Sequence, residues 1–140
     1  MSDPYARNMF GNTNPYYAKR QVKGQLAVVL DGTYEDRGLA LIKPPSRALK
    51  AGEIHELIIT DEEAKPGSVV NGIAYLGFFE VLQGGVIVTG DEVRIGNQLL
   101  GKIAGYDETH MPNHLNIIMT GTRKPGREWQ MVLEEAVTIG

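Results

Sequence analysis

The chain has 140 residues, 42% hydrophobic and 22% charged, which allows one ordinary domain with a core of its own and excludes both wholesale disorder and a division into smaller folding units. Its formal net charge of -3, from 17 acidic and 14 basic side chains with no basic stripe, argues against a nucleic-acid partner, which would call for clustered cations against phosphate. With no cysteine, disulfides, thiolate metal sites and a cysteine nucleophile are excluded, in keeping with a reducing cytoplasm; the lack of a bilayer-length apolar run argues against direct membrane insertion.

Residues 1–21 mix Asn, Gly, Pro and aromatic side chains without a clean period, and Pro4 and Pro15 break any helix. This segment is expected to be a flexible or partner-packing arm. Tyr5, Phe10, Tyr16 and Tyr17 suit the second role, since aromatic side chains concentrate at interfaces, and homo-oligomerisation through the arm is one expectation. A single β domain is expected over residues 22–140.

From Val22 the chain reads as short strands set off by turns. Val22 to Leu30 is the first, ending at Asp31-Gly32, and Gly38 to Ile42 is the second. Pro44-Pro45 enforces an irregular stretch, after which Ser46 to Lys50 is expected to form a brief helical turn capped by Ser46. Gly52 to Thr60 alternates in part, with Ile54, Glu56, Ile58 and Thr60 on one face and His55, Leu57 and Ile59 on the other, the more apolar one, and His55 is read as a packing or surface histidine. The acidic run Asp61-Glu62-Glu63 lacks the spacing of a calcium loop and reads as a solvated turn.

Further strands are expected over Ser68 to Val70, Val86 to Val88, Glu92 to Ile95, Leu99 to Tyr106, Leu115 to Thr120, Trp129 to Leu133 and Ala136 to Ile139. The apolar run Ile73 to Gln83 fits a strand or a short helix by period, and Tyr75, Phe79 and Val81 favour strand. Many short strands at turn-rich intervals indicate an all-β fold: a small closed or partly open β-barrel, with a compact β-sandwich as the alternative.

The densest chemistry is the loop Asp107-Glu108-Thr109-His110-Met111-Pro112-Asn113-His114. Two imidazoles, two carboxylates and an amide are suitable for binding or for acid–base work near neutral pH. Catalytic candidates are His114, His110, Asp107 and Glu108, joined by Glu80, an isolated carboxylate in an apolar strand. Ligand-binding candidates are His110, Asn113, His114, Tyr106, Arg94 and Lys102. The four-residue spacing of His110 and His114 is that of a helical metal pair, but Pro112 between them opposes a helix, so no metal is favoured there. No serine lies in a nucleophile elbow and no glycine loop forms a phosphate-binding fingerprint, so no cofactor is expected.

The order Gly90-Asp91 through Gly96, Gly101 to Gly105, Asn113-His114-Leu115 and Pro125-Gly126 resembles the later half of the glucitol/sorbitol-specific enzyme IIA component of the bacterial phosphotransferase system. The resemblance implies a bacterial, cytoplasmic, barrel-like protein with a phosphoacceptor histidine within the segment Tyr75 to Glu80. That segment holds Phe78, Phe79 and Glu80 and no histidine. The phosphocarrier role is therefore expected to be lost, with His114 in a supporting part and Lys102 and Arg94 as donors to an anionic group. The resulting expectation is a non-catalytic barrel binding a small molecule or a protein partner. A small acid–base enzyme and a structural oligomer are the alternatives.

Overall fold

A computed structural model of the chain describes residues 15–140. Residues 1–14, which make up most of the anticipated arm, lie outside the described residues. Twelve strands and no helix occur among the described residues. They are β1 (Val22–Val29), β2 (Thr33–Tyr34), β3 (Leu39–Ala40), β4 (Ser46–Leu49), β5 (Ile54–Thr60), β6 (Val69–Val70), β7 (Ile73–Gln83), β8 (Gly85–Val88), β9 (Glu92–Ile95), β10 (Gln98–Asp107), β11 (Asn116–Gly121) and β12 (Ala136–Ile139). No helix in the described chain is long and apolar enough to cross a membrane.

Seven strands close into a barrel in the order β1-β12-β9-β10-β11-β5-β7, with β7 returning to pair with β1. β2 is an extra strand on the first two residues of β7. All neighbours in the barrel are antiparallel except β11 and β5. Closure depends on β7, the longest strand at 11 residues, which pairs with β5 along one edge and with β2 and then β1 along the other. Where β1 crosses it the backbones come close: a Cβ on Gly77 would run into the carbonyl oxygen of Val28. Glycine is the residue that admits this approach.

Alternation along the strands divides the apolar side chains between two cores. Leu26, Leu57, Ile59, Leu76, Phe79, Tyr106, Ile117 and Met119 point into the barrel with much of the rest of the main cluster. The opposite faces of β5, β7, β10 and β11 carry Ile58, Ile73, Ala104 and Ile118, and these are covered by Leu39, Leu41 and Val70. The β3–β6 ribbon thus forms a flap over the outside of the barrel. It explains why β5 is buried on both faces from His55 to Thr60, as strands in parallel pairing generally are. The acidic turn fastens this flap: Glu62 accepts the backbone N–H groups of Asn71 and Gly72 at 3.2 and 2.6 Å.

Two elements differ from expectation. Ser46 to Leu49 is a strand rather than a helical turn, because it finds a full antiparallel partner in β8. Trp129 to Leu133 is a succession of turns rather than a strand. Met131 is buried there while Val132 and Leu133 are exposed, and positive φ angles at Gln130 (61°) and Glu134 (69°) interrupt an extended path.

Candidate functional site

At one end of the outer face, register places Asp107 on β10, Asn116 on β11, Glu56 on β5 and Phe78 on β7 in a single row across four strands. The flap does not extend over this row; the loop following β10 does. Within that loop the backbone N–H groups of Asn113 and His114 both donate to the carbonyl of His110, at 2.9 and 3.3 Å. The chain is thereby folded back in one uncontinued helical turn. His110 and His114 meet without a helix, with ring centroids 5.1 Å apart and planes tilted by 30°.

His114 is the centre of the arrangement. Its ring packs edge-on against Phe78 at 5.0 Å. Asn113 Nδ2 lies 2.9 Å from its Nδ1; with the amide donating, the ring proton is on Nε2, the nitrogen that faces inward. Nε2 is 3.3 Å from Glu56 Oε1 but off the line required for a hydrogen bond, and it is buried without a partner among the described residues. The contact is thus a close charge–dipole approach rather than a formed bond. Burial raises the Glu56 carboxyl above the ordinary carboxylate range, with His110 and Arg37 pulling it back. Next to it in the row, Asn116 donates to Asp107 Oδ1 at 3.1 Å while its own Oδ1 is buried with no donor.

A second histidine completes one wall. The Leu115 backbone N–H donates to His55 Nδ1 at 2.9 Å, which fixes that nitrogen as an acceptor and puts the proton on Nε2. Nε2 then donates to Glu53 Oε1 at 3.2 Å. Glu53 Oε1 also accepts the Lys50 backbone N–H at 2.8 Å. The Lys50 amide, with His55 assisting, holds Glu53 below the usual carboxylate range in spite of partial burial. Between these walls lies a cleft of about 460 Å³ lined by residues 52–55, by Phe78, and by Met111, Pro112, Asn113 and His114. Its sides combine aromatic, thioether and imidazole surface with one exposed carboxylate.

The residues singled out from sequence are distributed unequally around this cleft. His114 and Asn113 line it, and His110 stacks on His114 from the exposed side. Asp107 turns away: its carboxylate accepts the Thr109 N–H at 3.1 Å and the Thr109 hydroxyl at 3.0 Å, and so shapes the loop. Glu108 accepts from Arg47 Nη1 at 2.6 Å on the surface. Tyr106 is fully buried, its hydroxyl donating toward the carbonyls of Pro45 and Ile87. Arg94 pairs with Glu92 on β9 at 3.2 Å, and Lys102 is exposed on β10. Glu80 stands on β7 opposite Ile54, outside the cleft lining. Among the described residues no three His, Asp or Glu side chains converge as metal ligands.

Sequence reasoning did not single out Glu53, Glu56 or Phe78, and read His55 first as a packing or surface histidine. The only signal for Glu56 was its place between Ile54 and Ile58 on one face of a strand, where a carboxylate among apolar neighbours needs an explanation. Phe78 and Glu53 carried no signal of their own.

Residues 16–140 match the family model described as "Family of unknown function (DUF6917)", so the chain belongs to that family. No curated protein and no solved structure matches it.

Proposed function

We propose that this member of the DUF6917 family is a binding protein for a small molecule, and that its ligand occupies the cleft between Glu53–His55 and Met111–His114 with Phe78 at its base. The observation that supports the reading best is that the cleft's polar groups are held before any ligand arrives. His55 is fixed by the Leu115 amide and Glu53, and His114 by Asn113 and Phe78. A site whose side chains are already ordered spends little of its interaction energy on ordering them. The volume, about 460 Å³, is in the range of pockets for small organic ligands. The reading places the protein in the cytoplasm and takes the likeness to the sugar phosphotransferase component as one of barrel shape without phosphoryl transfer.

The test is a thermal-shift screen of small metabolites against the full chain, repeated on His114→Ala and Phe78→Ala. A ligand present at a hundredfold excess over its Kd stabilises by about 2.7 kcal/mol, a clear upward shift in Tm. Both substitutions are expected to abolish that shift while leaving a cooperative unfolding transition. Ligand shifts that survive both substitutions refute the cleft as the site.

One observation favours acid–base catalysis as a second reading. A buried carboxyl group, Glu56, backs the Nε2 side of His114, and Nδ1, the nitrogen that would take up a proton, is opened to a substrate once the Asn113 amide that donates to it turns aside. In this version Glu56 is the orienting acid, the part for which the sequence offers Asp107, Glu108 or Glu80. Chemical conversion of a bound compound, lost in His114→Ala, would distinguish it from binding alone.

A further inference from the structure

We propose that the cleft takes a small organic cation, a protonated amine carried on an aromatic or alkyl body. This inference rests on the binding reading given above and adds the charge and shape of the ligand. The charge follows from Glu53. Both hydrogen bonds to its side chain, from Lys50 N–H at 2.8 Å and His55 Nε2 at 3.2 Å, end on Oε1. Among the described residues Oε2 has no such bond, and the side chain is 44% exposed at the cleft. An ammonium group donating to Oε2 would form a charge-assisted bond without displacing either existing donor.

The acceptor nitrogens of the cleft's histidines are already turned to amide donors. His55 Nδ1 accepts the Leu115 amide, so a second proton on that ring would break a buried backbone bond. His114 Nδ1 is likewise turned to an amide donor, and its Nε2 faces a second carboxylate, Glu56, at 3.3 Å. Arg47 acts on Glu53 through space, and its guanidinium is held at the rim by Glu108 Oε2 at 2.6 Å and by Met111 Sδ at 4.0 Å. An anionic ligand would therefore meet carboxylates at the cleft and behind it.

The body of the ligand follows from the other walls. Phe78, Met111 and Pro112 line the cleft, and their apolar surface, with the Phe78 ring among it, takes the body of an organic cation by dispersion and cation–π contacts, while the Met111 sulfur is held by Arg47. These surfaces suit an alkyl or aryl amine better than a hydrated metal ion, which needs a shell of oxygen ligands.

Benzylamine, benzyl alcohol and benzoate share one body and differ in charge. Each is titrated into the full chain at neutral pH while the Met111 methyl and the His55 and His114 ring signals are followed by NMR. Benzylamine is expected to give saturable shifts at all three residues, with benzyl alcohol about tenfold weaker, the size of one charge-assisted hydrogen bond, and benzoate weaker still. Glu53→Gln keeps an acceptor for Lys50 and His55 and is expected to bring benzylamine down to the level of benzyl alcohol. Benzyl alcohol or benzoate binding at the cleft as tightly as benzylamine, or no effect of Glu53→Gln, overturns the cation assignment and leaves the binding reading in place. Signals unmoved by all three compounds overturn both.

Discussion

Glu56 shows how a single residue acquires chemistry from its surroundings. It is 7% exposed, and burial lifts its carboxyl above the ordinary range. A carboxyl whose folded pKa exceeds its unfolded one holds a proton in the native state that the unfolded chain has already released. Its contribution to stability is therefore greatest below the ordinary carboxylate value, about pH 4, and declines as pH rises through the folded value. Glu56→Gln removes this dependence and keeps the shape. The variant is expected to gain stability relative to the parent chain between about pH 4 and pH 7, read from urea midpoints at the two ends. A difference between the two proteins that is the same at both pH values would contradict the assignment. His114 and His110 were legible as site residues because they stand together in a polar loop. Glu56 was not, since nothing local to β5 announces that a distant imidazole is laid across it.

Elements repeat the lesson in another form. Strands with clear alternation, such as β9 and β12, match expectation closely, because period 2 with one apolar face is a local property. Ser46 to Leu49 and Trp129 to Leu133 do not, because the outcome depends on partners. The first is extended only through its pairing with β8. The second is bent over the barrel by hydrogen bonds from Gly126 N–H to Tyr75, from Arg127 N–H to Leu30 and from Met131 N–H back to Gly126. Gly126 is the close-contact point of this cap, where a Cβ would run into the carbonyl oxygen of Leu76. Gly126→Ala is expected to destabilise the fold by about 1–3 kcal/mol, the usual range for overpacking. A chemical-denaturation midpoint unchanged from the parent would show that the cap can shift without cost.

At the scale of the whole molecule, the barrel depends on a strand of four residues at the end of the chain. β12 bridges β1 and β9, and without it both would present open edges. Val137 and Ile139 also leave the main core with it. Removing residues 136–140 is expected to abolish cooperative unfolding. The fluorescence of the single tryptophan, Trp129, which packs against that core, offers one readout and far-UV circular dichroism a second. Retention of one coincident, cooperative transition in both would show that the other strands hold the barrel without closure.

The sequence by itself determined that the chain is all-β, where most strands run, which faces of them are apolar, and that the loop from Asp107 to His114 is the place richest in chemistry. These are consequences of local periodicity, turn residues and composition, which act over a few positions. Only the tertiary structure decided that the strands close by pairing β1 with β7, that β5 and β11 lie parallel, and that a flap buries the outer face of the barrel. It also decided that His114 of the loop answers to Glu56 and Phe78, and His55 to Glu53, rather than to Asp107 and Glu108. The physical reason is the same throughout. Pairing between distant strands is set by the geometry of closure and by which buried polar groups find partners across it, and those are properties of the assembled sheet that no short stretch of sequence carries.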